Sequence, residues 1–333
     1  LPHRVAVVGC GVIGSGWAAR FRLHGVDVIA ADPSPAAARV LAEVHDNAER
    51  AWARLGLPTD QQGTLTVDTS VSSAVANVDF VQESVPERLD LKHEVLSHIE
   101  AGASPTTPVA SSTSGFKPSL LQSTMTHPER LVVGHPFNPV YLLPLVEVVG
   151  GSVTSADTVE RAQAIYDAVG MKPLHVRVEI DAFIAYRLLE AMWREALWLV
   201  NDGVATTTEI DDAVRYGFGL RWAQMGLFET YRVAGGEAGM RHFIAQFGEA
   251  LDWPWTKLTD TPALTDELID RIATQSDEQS GSRSIRELEH IRDDNVADIL
   301  LALEANRWGA GEHLARHRAS RSADAERAAE PAP

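Results

Sequence analysis

The residues of this chain best suited to chemistry lie together in LVVGHPFNPVYLLPLVE, residues 131–147. His135 and Asn138 are each followed by proline, and Glu147 comes twelve residues after His135. Glu147 sits inside an apolar run, Leu142 to Val149, that reads as a buried strand. An imidazole titrates near neutrality, so it can take or give a proton. A carboxylate within its reach fixes which ring nitrogen carries the hydrogen. Burying either group alone is costly, because a charge away from water must be matched or neutralised. Two such groups at the ends of apolar segments therefore suit an acid–base pair. Taken alone, the stretch also fits a hydrogen-bonded core histidine in a proline-rich turn, so the surrounding sequence has to decide.

The N-terminal residues decide much of it. Val5-Ala6-Val7-Val8 is a short strand-forming run that ends at Gly9-Cys10-Gly11-Val12-Ile13-Gly14 and continues as a helical pattern through Leu23. A GxGxxG between a strand and a helix is a dinucleotide-binding turn. Gly9 makes the bend, Gly11 admits the pyrophosphate and Gly14 lets strand and helix pack closely. The backbone N–H groups around Val12 and Ile13, at the start of the helix, are free to meet phosphate. A second strand, Val28 to Ala31, ends at Asp32, eighteen residues past Gly14. A carboxylate there accepts the ribose hydroxyls of NAD and repels a 2′-phosphate.

Further strands are expected at 65–67, 79–82, 108–112 and 132–134, with an amphipathic helix over 89–100. This alternation predicts a doubly wound parallel sheet, in which ligands bind beyond the carboxyl ends of the strands. The glycine turn, the polar turn around Ser114 and His135 all fall at such ends. From residue 182 the pattern becomes helical, with Asp181 as the expected cap of a helix over 182–201. Thr206-x-x-Glu209 and Ser284-x-x-Glu287 are capping-box signatures opening further helices. The fold class expected is α/β, an N-terminal Rossmann-type domain (1–181) followed by an all-helical domain (182–316) for substrate binding and dimerisation. Small, charged and proline residues over 317–333 predict a disordered tail.

Composition is that of a soluble globular protein, 45% apolar and 23% charged in 333 residues. A net charge of -17 argues against nucleic acid and anionic membrane surfaces as partners. One cysteine, Cys10, excludes an internal disulfide and fits a reducing cytoplasm. No His-rich or Cys-rich spacing suggests a metal site.

GCGVIGSG with Asp32, then Glu83-Ser84-Val85-Pro86-Glu87, Ser114, HPFNP and PLVEVV together resemble the 3-hydroxyacyl-CoA dehydrogenase superfamily over nearly the whole chain. The resemblance implies an NAD-dependent enzyme. It makes His135 the catalytic base, Glu147 its orienting carboxylate, and Ser114 and Asn138 polar groups near the substrate oxygen and the nicotinamide. Glu87 and Lys92 match positions near the cofactor.

One departure bears on the substrate. Acyl-CoA members carry Phe-Ile-x-Asn-Arg where this chain has Phe183-Ile184-Ala185-Tyr186-Arg187. Together with GLRWA (219–223), MGLFET (225–230), Gly235-Gly236 and WPWTKL (253–258), this resembles the branch acting on small hydroxy acids, which includes L-gulonate and L-carnitine 3-dehydrogenases, and the latter most of all. The implied partner is a small molecule with a trimethylammonium group and a carboxylate. Aromatic faces with nearby carboxylates recognise such a cation, and Trp193, Trp198, Trp222, Phe228, Tyr231, Trp253 and Trp255, with Glu190 and Glu229, supply candidates. Tyr186 takes the substrate-side position, and Arg221 is placed as a clamp for the carboxylate. A gulonate-type enzyme, a true acyl-CoA enzyme and a non-catalytic NAD-binding protein of crystallin type are the alternatives. Broad apolar helix faces suggest a homodimer.

Overall fold

The computed structural model describes residues 1–234, 243–245, 255–256, 263, 265–268, 270–271 and 282–329. Its strands are β1 (Arg4–Val8), β2 (Asp27–Ala31), β3 (Leu65–Asp68), β4 (Phe80–Glu83), β5 (Val109–Ser111), β6 (Leu131–Pro136), β7 (Leu145–Gly150) and β8 (Lys172–Val176). They form one sheet in the order 3-2-1-4-5-6-7-8. The central strands are apolar on both faces, as strands covered from two sides must be. In β1, Val5 and Val7 pack with Trp17, Phe21 and Tyr166, whereas Ala6 and Val8 pack with Leu96, Ile99 and Leu121. The first three of those partners come from α1 (Val12–Leu23) and α6 (Ala156–Ala168), and the second three from α4 (Leu89–Gly102) and α5 (Pro118–Gln122). Helices thus cover both faces, which is the doubly wound arrangement.

The sheet is not wholly parallel. β6 and β7 pair antiparallel, while β7 and β8 are parallel. The chain between β6 and β7 is too short for the crossover of a dozen or more residues that parallel pairing needs. It turns back instead, with Leu142 and Leu143 both donating to the Pro139 carbonyl, so β7 starts at Leu145 and not at Leu142. This reversal is a correction to the expected parallel sheet.

Two further expectations are corrected. The helix after the sheet, α7, spans Ala185–Asn201 and Asp181 does not cap it. Ala182 and Phe183 adopt positive φ (59° and 53°), outside the helical region, and the Asp181 carboxylate pairs with Lys117 at 3.2 Å. The stretch from 317 is not a disordered tail, at least through Ala329. It belongs to α11 (Gly309–Ala329), which with α10 (Ile285–Ala305) folds back on α1 and on α2 (Ala37–Arg54). Leu300 and Leu314 join Leu23, Trp52 and Leu142 in a third apolar cluster. The residues expected to form a separate helical domain are thus divided, and their last two helices brace the dinucleotide-binding half.

Both capping boxes are present, at Thr206/Glu209 opening α8 (Thr207–Ala213) and at Ser284/Glu287 opening α10. Arg221, Trp222, Phe228 and Tyr231 lie on α9 (Gly219–Ala234). Among the described residues no helix is long and apolar enough to cross a membrane.

Candidate active site

The antiparallel turn makes His135 and Glu147 direct partners across β6 and β7. Glu147 Oε2 lies 2.9 Å from His135 Nδ1. The carboxylate accepts, so Nδ1 carries the hydrogen and Nε2 keeps its lone pair, an assignment made from the hydrogen-bond network. Both side chains are buried, His135 5% and Glu147 0% exposed. The other oxygen of Glu147 accepts from the backbone N–H groups of Ile184 and Ala185, each at 2.8 Å. Glu147 therefore serves as the acidic cap of α7 and places a charge against the positive end of its dipole. Burial works to raise the carboxyl pKa, but the His135 bond and the two backbone bonds outweigh it, and the net direction is downward. The group stays ionised opposite the imidazole.

The loop leaving His135 is pinned from below. Arg20, buried on α1, donates to the carbonyls of Val140 (2.7 Å), Val169 (3.0 Å) and Leu143 (3.4 Å). Burial among neutral acceptors pulls its pKa down to about 9. Trp52 Nε1 donates to the Tyr141 carbonyl at 2.9 Å, and the Tyr141 hydroxyl to Asp293 at 2.6 Å. Sequence reasoning missed Arg20. Its signal was position, since Trp17, Arg20, Phe21 and His24 recur at helical spacing on the core-facing side of α1.

The glycine turn has the shape its sequence implied. A Cβ on Gly14 would lie 1.8 Å from the Gly9 carbonyl oxygen, and Gly9 has φ +91° against the Ser84 backbone. Around Gly11 there is open space within 4 Å of a built Cβ, and α1 begins there without a side-chain cap. Free N–H groups beside open space form a seat for a pyrophosphate. Asp32 closes one side, held by Cys10 N (2.7 Å) and Ser34 N (2.8 Å). It lines two cavities, of about 780 and 430 Å³, that share Gly9, Val85 and Pro86. The larger is walled by Val71, Leu91 and Val95, suited to an adenine. The smaller is lined by Gly11, Val12, Ile13, Glu87 and Ser114. These residues fit NAD.

Glu87 shapes the Ser114 turn. Its Oε1 accepts from Thr113 Oγ1 (2.5 Å), Ser114 N and Gly115 N (both 3.1 Å). Lys92, expected near the cofactor, is 1% exposed and points elsewhere. Its ammonium meets Glu83 Oε1 at 2.9 Å, the Val85 carbonyl at 3.1 Å and Glu87 Oε2 at 3.5 Å. That makes Lys92 a support beneath the groove, and Glu83, which also accepts from Ser111 Oγ and Val85 N, its counter-charge. Neither the Ser114 hydroxyl nor the Asn138 amide forms a hydrogen bond among the described residues, so both are left to a ligand.

Three rings surround His135: Phe137, Phe183 and Tyr186, with centroids at 5.2, 5.6 and 5.8 Å. Phe183 is fully buried behind the imidazole, and Phe137 and Tyr186 are partly open. The aromatics expected on α9 are not in this set. Among the described residues Trp222 contacts Phe218 and Tyr231 stacks on Phe243, while Phe228 is 73% exposed. Arg221 is exposed and in no ion pair among the described residues. Gly235, Gly236, Trp253, Pro254, Lys257 and Leu258, and the side chain of Glu229, lie outside what the structure describes.

Residues 4–180 match the 3-hydroxyacyl-CoA dehydrogenase NAD binding domain, and residues 183–271 match that family's C-terminal domain. The chain belongs to the 3-hydroxyacyl-CoA dehydrogenase family. Its cofactor is accordingly NAD, and the family's chemistry is oxidation at a CH–OH carbon. Among curated relatives, an L-carnitine dehydrogenase/betainyl-CoA thioesterase of Agrobacterium fabrum is 63% identical over 93% of this chain. The chain spans 63% of that relative's length. An L-carnitine dehydrogenase of Mesorhizobium japonicum is 59% identical, covering 93% of this chain and 86% of the relative. A solved structure of the dehydrogenase of 5-formyl-3-hydroxy-2-methylpyridine 4-carboxylic acid, described as an NAD+ dependent dismutase, superposes with TM-score 0.76. It is 26% identical and covers 91% of this chain and 99% of that one.

Proposed function

We propose that this family member oxidises the C3 hydroxyl of L-carnitine to 3-dehydrocarnitine. The observation that carries the chemistry is His135, held by Glu147 through Nδ1 so that Nε2 has no hydrogen bond among the described residues, at the end of the strand that pairs with the one leading to Ser114. The names of the two relatives support the choice of substrate. So do the aromatic rings of Phe137 and Tyr186 beside the base.

The glycine turn and Asp32 would hold NAD, which would supply the hydride acceptor for C3. His135 Nε2 takes the hydroxyl proton as the carbonyl forms, and Glu147 stabilises the imidazolium that results. Ser114 and Asn138 donate toward the oxygen on which charge develops. Glu87, braced by Lys92 and Glu83, holds the Ser114 turn in place. Asp32 selects NAD over its 2′-phosphorylated form. Arg221 and the α9 aromatics Trp222, Phe228 and Tyr231 stay as substrate-side residues only if closure or a partner subunit brings them to His135.

The active assembly is a homodimer in this reading. On α7, Leu188, Leu189, Met192 and Trp193 are 37–56% exposed, more contiguous apolar surface than one helix of a monomer ordinarily leaves to water. Location in the cytoplasm rests on the single buried thiol of Cys10.

Following NADH absorbance with L-carnitine, L-gulonate and 3-hydroxybutyryl-CoA supplied separately tests the substrate assignment. Turnover with L-carnitine is expected to dominate. Turnover of gulonate or the thioester in its place overturns it.

A further inference from the structure

The carnitine reading leaves open which residues recognise the cation, and the α9 aromatics expected for that task are not the rings gathered at His135. In carnitine the carbon that loses hydride and the ammonium nitrogen are separated by two single bonds, about 2.5 Å. A cation so close to the reacting carbon has to be bound within a side chain's reach of the base. The first turns of α7 meet that requirement. Tyr186 stands 5.8 Å from the His135 ring, tilted edge-on at 69°, and Glu190 follows one turn later on the same face.

We propose that Glu190 and the face of Tyr186 form the subsite for the quaternary ammonium group, and that Glu190 is the residue that makes this site prefer a cationic substrate. The proposal rests on the carnitine reading above. A trimethylammonium cannot donate a conventional hydrogen bond, so a ring face and a carboxylate with no cation of its own are the groups able to recognise it. Glu190 is such a carboxylate. Arg187 and Arg194 lie three and four residues away on the same helix, where ion pairs commonly form, yet Glu190 makes no ion pair among the described residues. The Arg187 guanidinium donates instead to the Asp181 carbonyl. Tyr186 lies between two acids. Partial burial, then the charge of Glu190 and the hydrogen bond to it, then the charge of Glu87 push its phenol pKa up, so the ring remains neutral and offers its face.

Glu147 ties this subsite to the base. One of its oxygens holds the imidazole and the other caps the helix carrying Tyr186 and Glu190. The distance from base to cation site is thereby set through a single buried side chain. A neutral-tailed hydroxy acid gains nothing from Glu190, which makes the residue a discriminator and not a general binding contact.

The test compares L-carnitine with its carbon isostere, in which a tert-butyl group replaces trimethylammonium, in the full chain with NAD. The wild type is expected to prefer carnitine. In Glu190→Gln, KM for carnitine should rise about tenfold with kcat little changed, while kcat/KM for the isostere stays put. Tyr186→Phe, which keeps the ring, should retain the preference, and Tyr186→Leu should lose most of it. Equal losses on both substrates in Glu190→Gln, or an unchanged KM for carnitine, would overturn the proposal. Absence of any wild-type turnover of carnitine is a separate outcome that removes the substrate reading and this subsite with it.

Discussion

His135 and Glu147 are partners across the single antiparallel pair among the described strands, and the carboxylate that orients the imidazole also caps α7. One buried residue thus sets the tautomer of the base and the position of the helix facing it. Glu147→Gln keeps an oxygen for the two backbone donors but loses the charge that stabilises the imidazolium. A fall in kcat of about 10²-fold or more is expected with melting temperature nearly unchanged. Glu147→Ala should also destabilise, by about 1–3 kcal/mol, because two partly buried N–H groups and a buried imidazole lose their acceptor. Steady-state kinetics and thermal melts of the two variants separate these effects.

Gly11 and Gly14 should fail differently. Gly11 has ordinary φ (-69°) and open space around its Cβ position. Gly11→Ala is therefore expected to melt like the wild type while binding NAD roughly tenfold more weakly or worse, since the methyl occupies the pyrophosphate seat. Gly14→Ala drives a methyl into the Gly9 carbonyl, so it should lose stability even without cofactor. Calorimetry of apo proteins and NAD titration read the two outcomes.

The carboxylate of Asp32 should govern cofactor choice. Asp32→Ser is expected to raise the ratio of NADP to NAD efficiency by about tenfold or more, mainly by relieving repulsion of the 2′-phosphate. An unchanged ratio would remove Asp32 from the ribose site.

How much was legible beforehand depended on how local the cause was. The glycine turn and Asp32 were readable because strand, turn and helix are specified within about thirty residues of sequence. His135 and Glu147 were readable as a pair, and their short separation already forbade a parallel crossover, though the antiparallel turn was not drawn from it. Asp181 followed the local rule for a helix cap, and an acceptor from a distant strand overrode it. α11 looked like a solvated tail because composition counts apolar residues. What docks it is largely polar: Arg318 reaches Glu304 and the Leu55 carbonyl, and His313 the Gly170 carbonyl. Tyr186 was readable on the substrate side from the resemblance, and it does stand beside the base. The aromatics Trp222, Phe228 and Tyr231 pointed to α9, whereas proximity to the base adds Phe137, which only tertiary structure could reveal.

The docking of α11 carries an acid sensitivity. His24 Nδ1 donates to the Arg20 carbonyl at 2.7 Å, so its Nε2 accepts from His317 Nε2 at 2.8 Å. Burial foremost, then the nearby cations, hold both histidines neutral, with His24 well below its usual pKa and His317 at about 3. The unfolded chain binds protons near pH 6.5 that the folded one refuses. Stability from this pair is therefore complete above about pH 6.5 and is lost progressively as pH falls toward the folded values. Melting temperature should drop between about pH 7 and pH 5, and less steeply in His317→Gln. Equal slopes would exclude the pair as the cause.

The role of His135 is tested most directly by NADH formation from L-carnitine in wild type and His135→Asn, with NAD affinity measured on the same samples. The expected result is equal NAD binding and a loss of turnover of about 10²-fold or more. Near-wild-type turnover in His135→Asn with NAD bound would contradict proton transfer through His135.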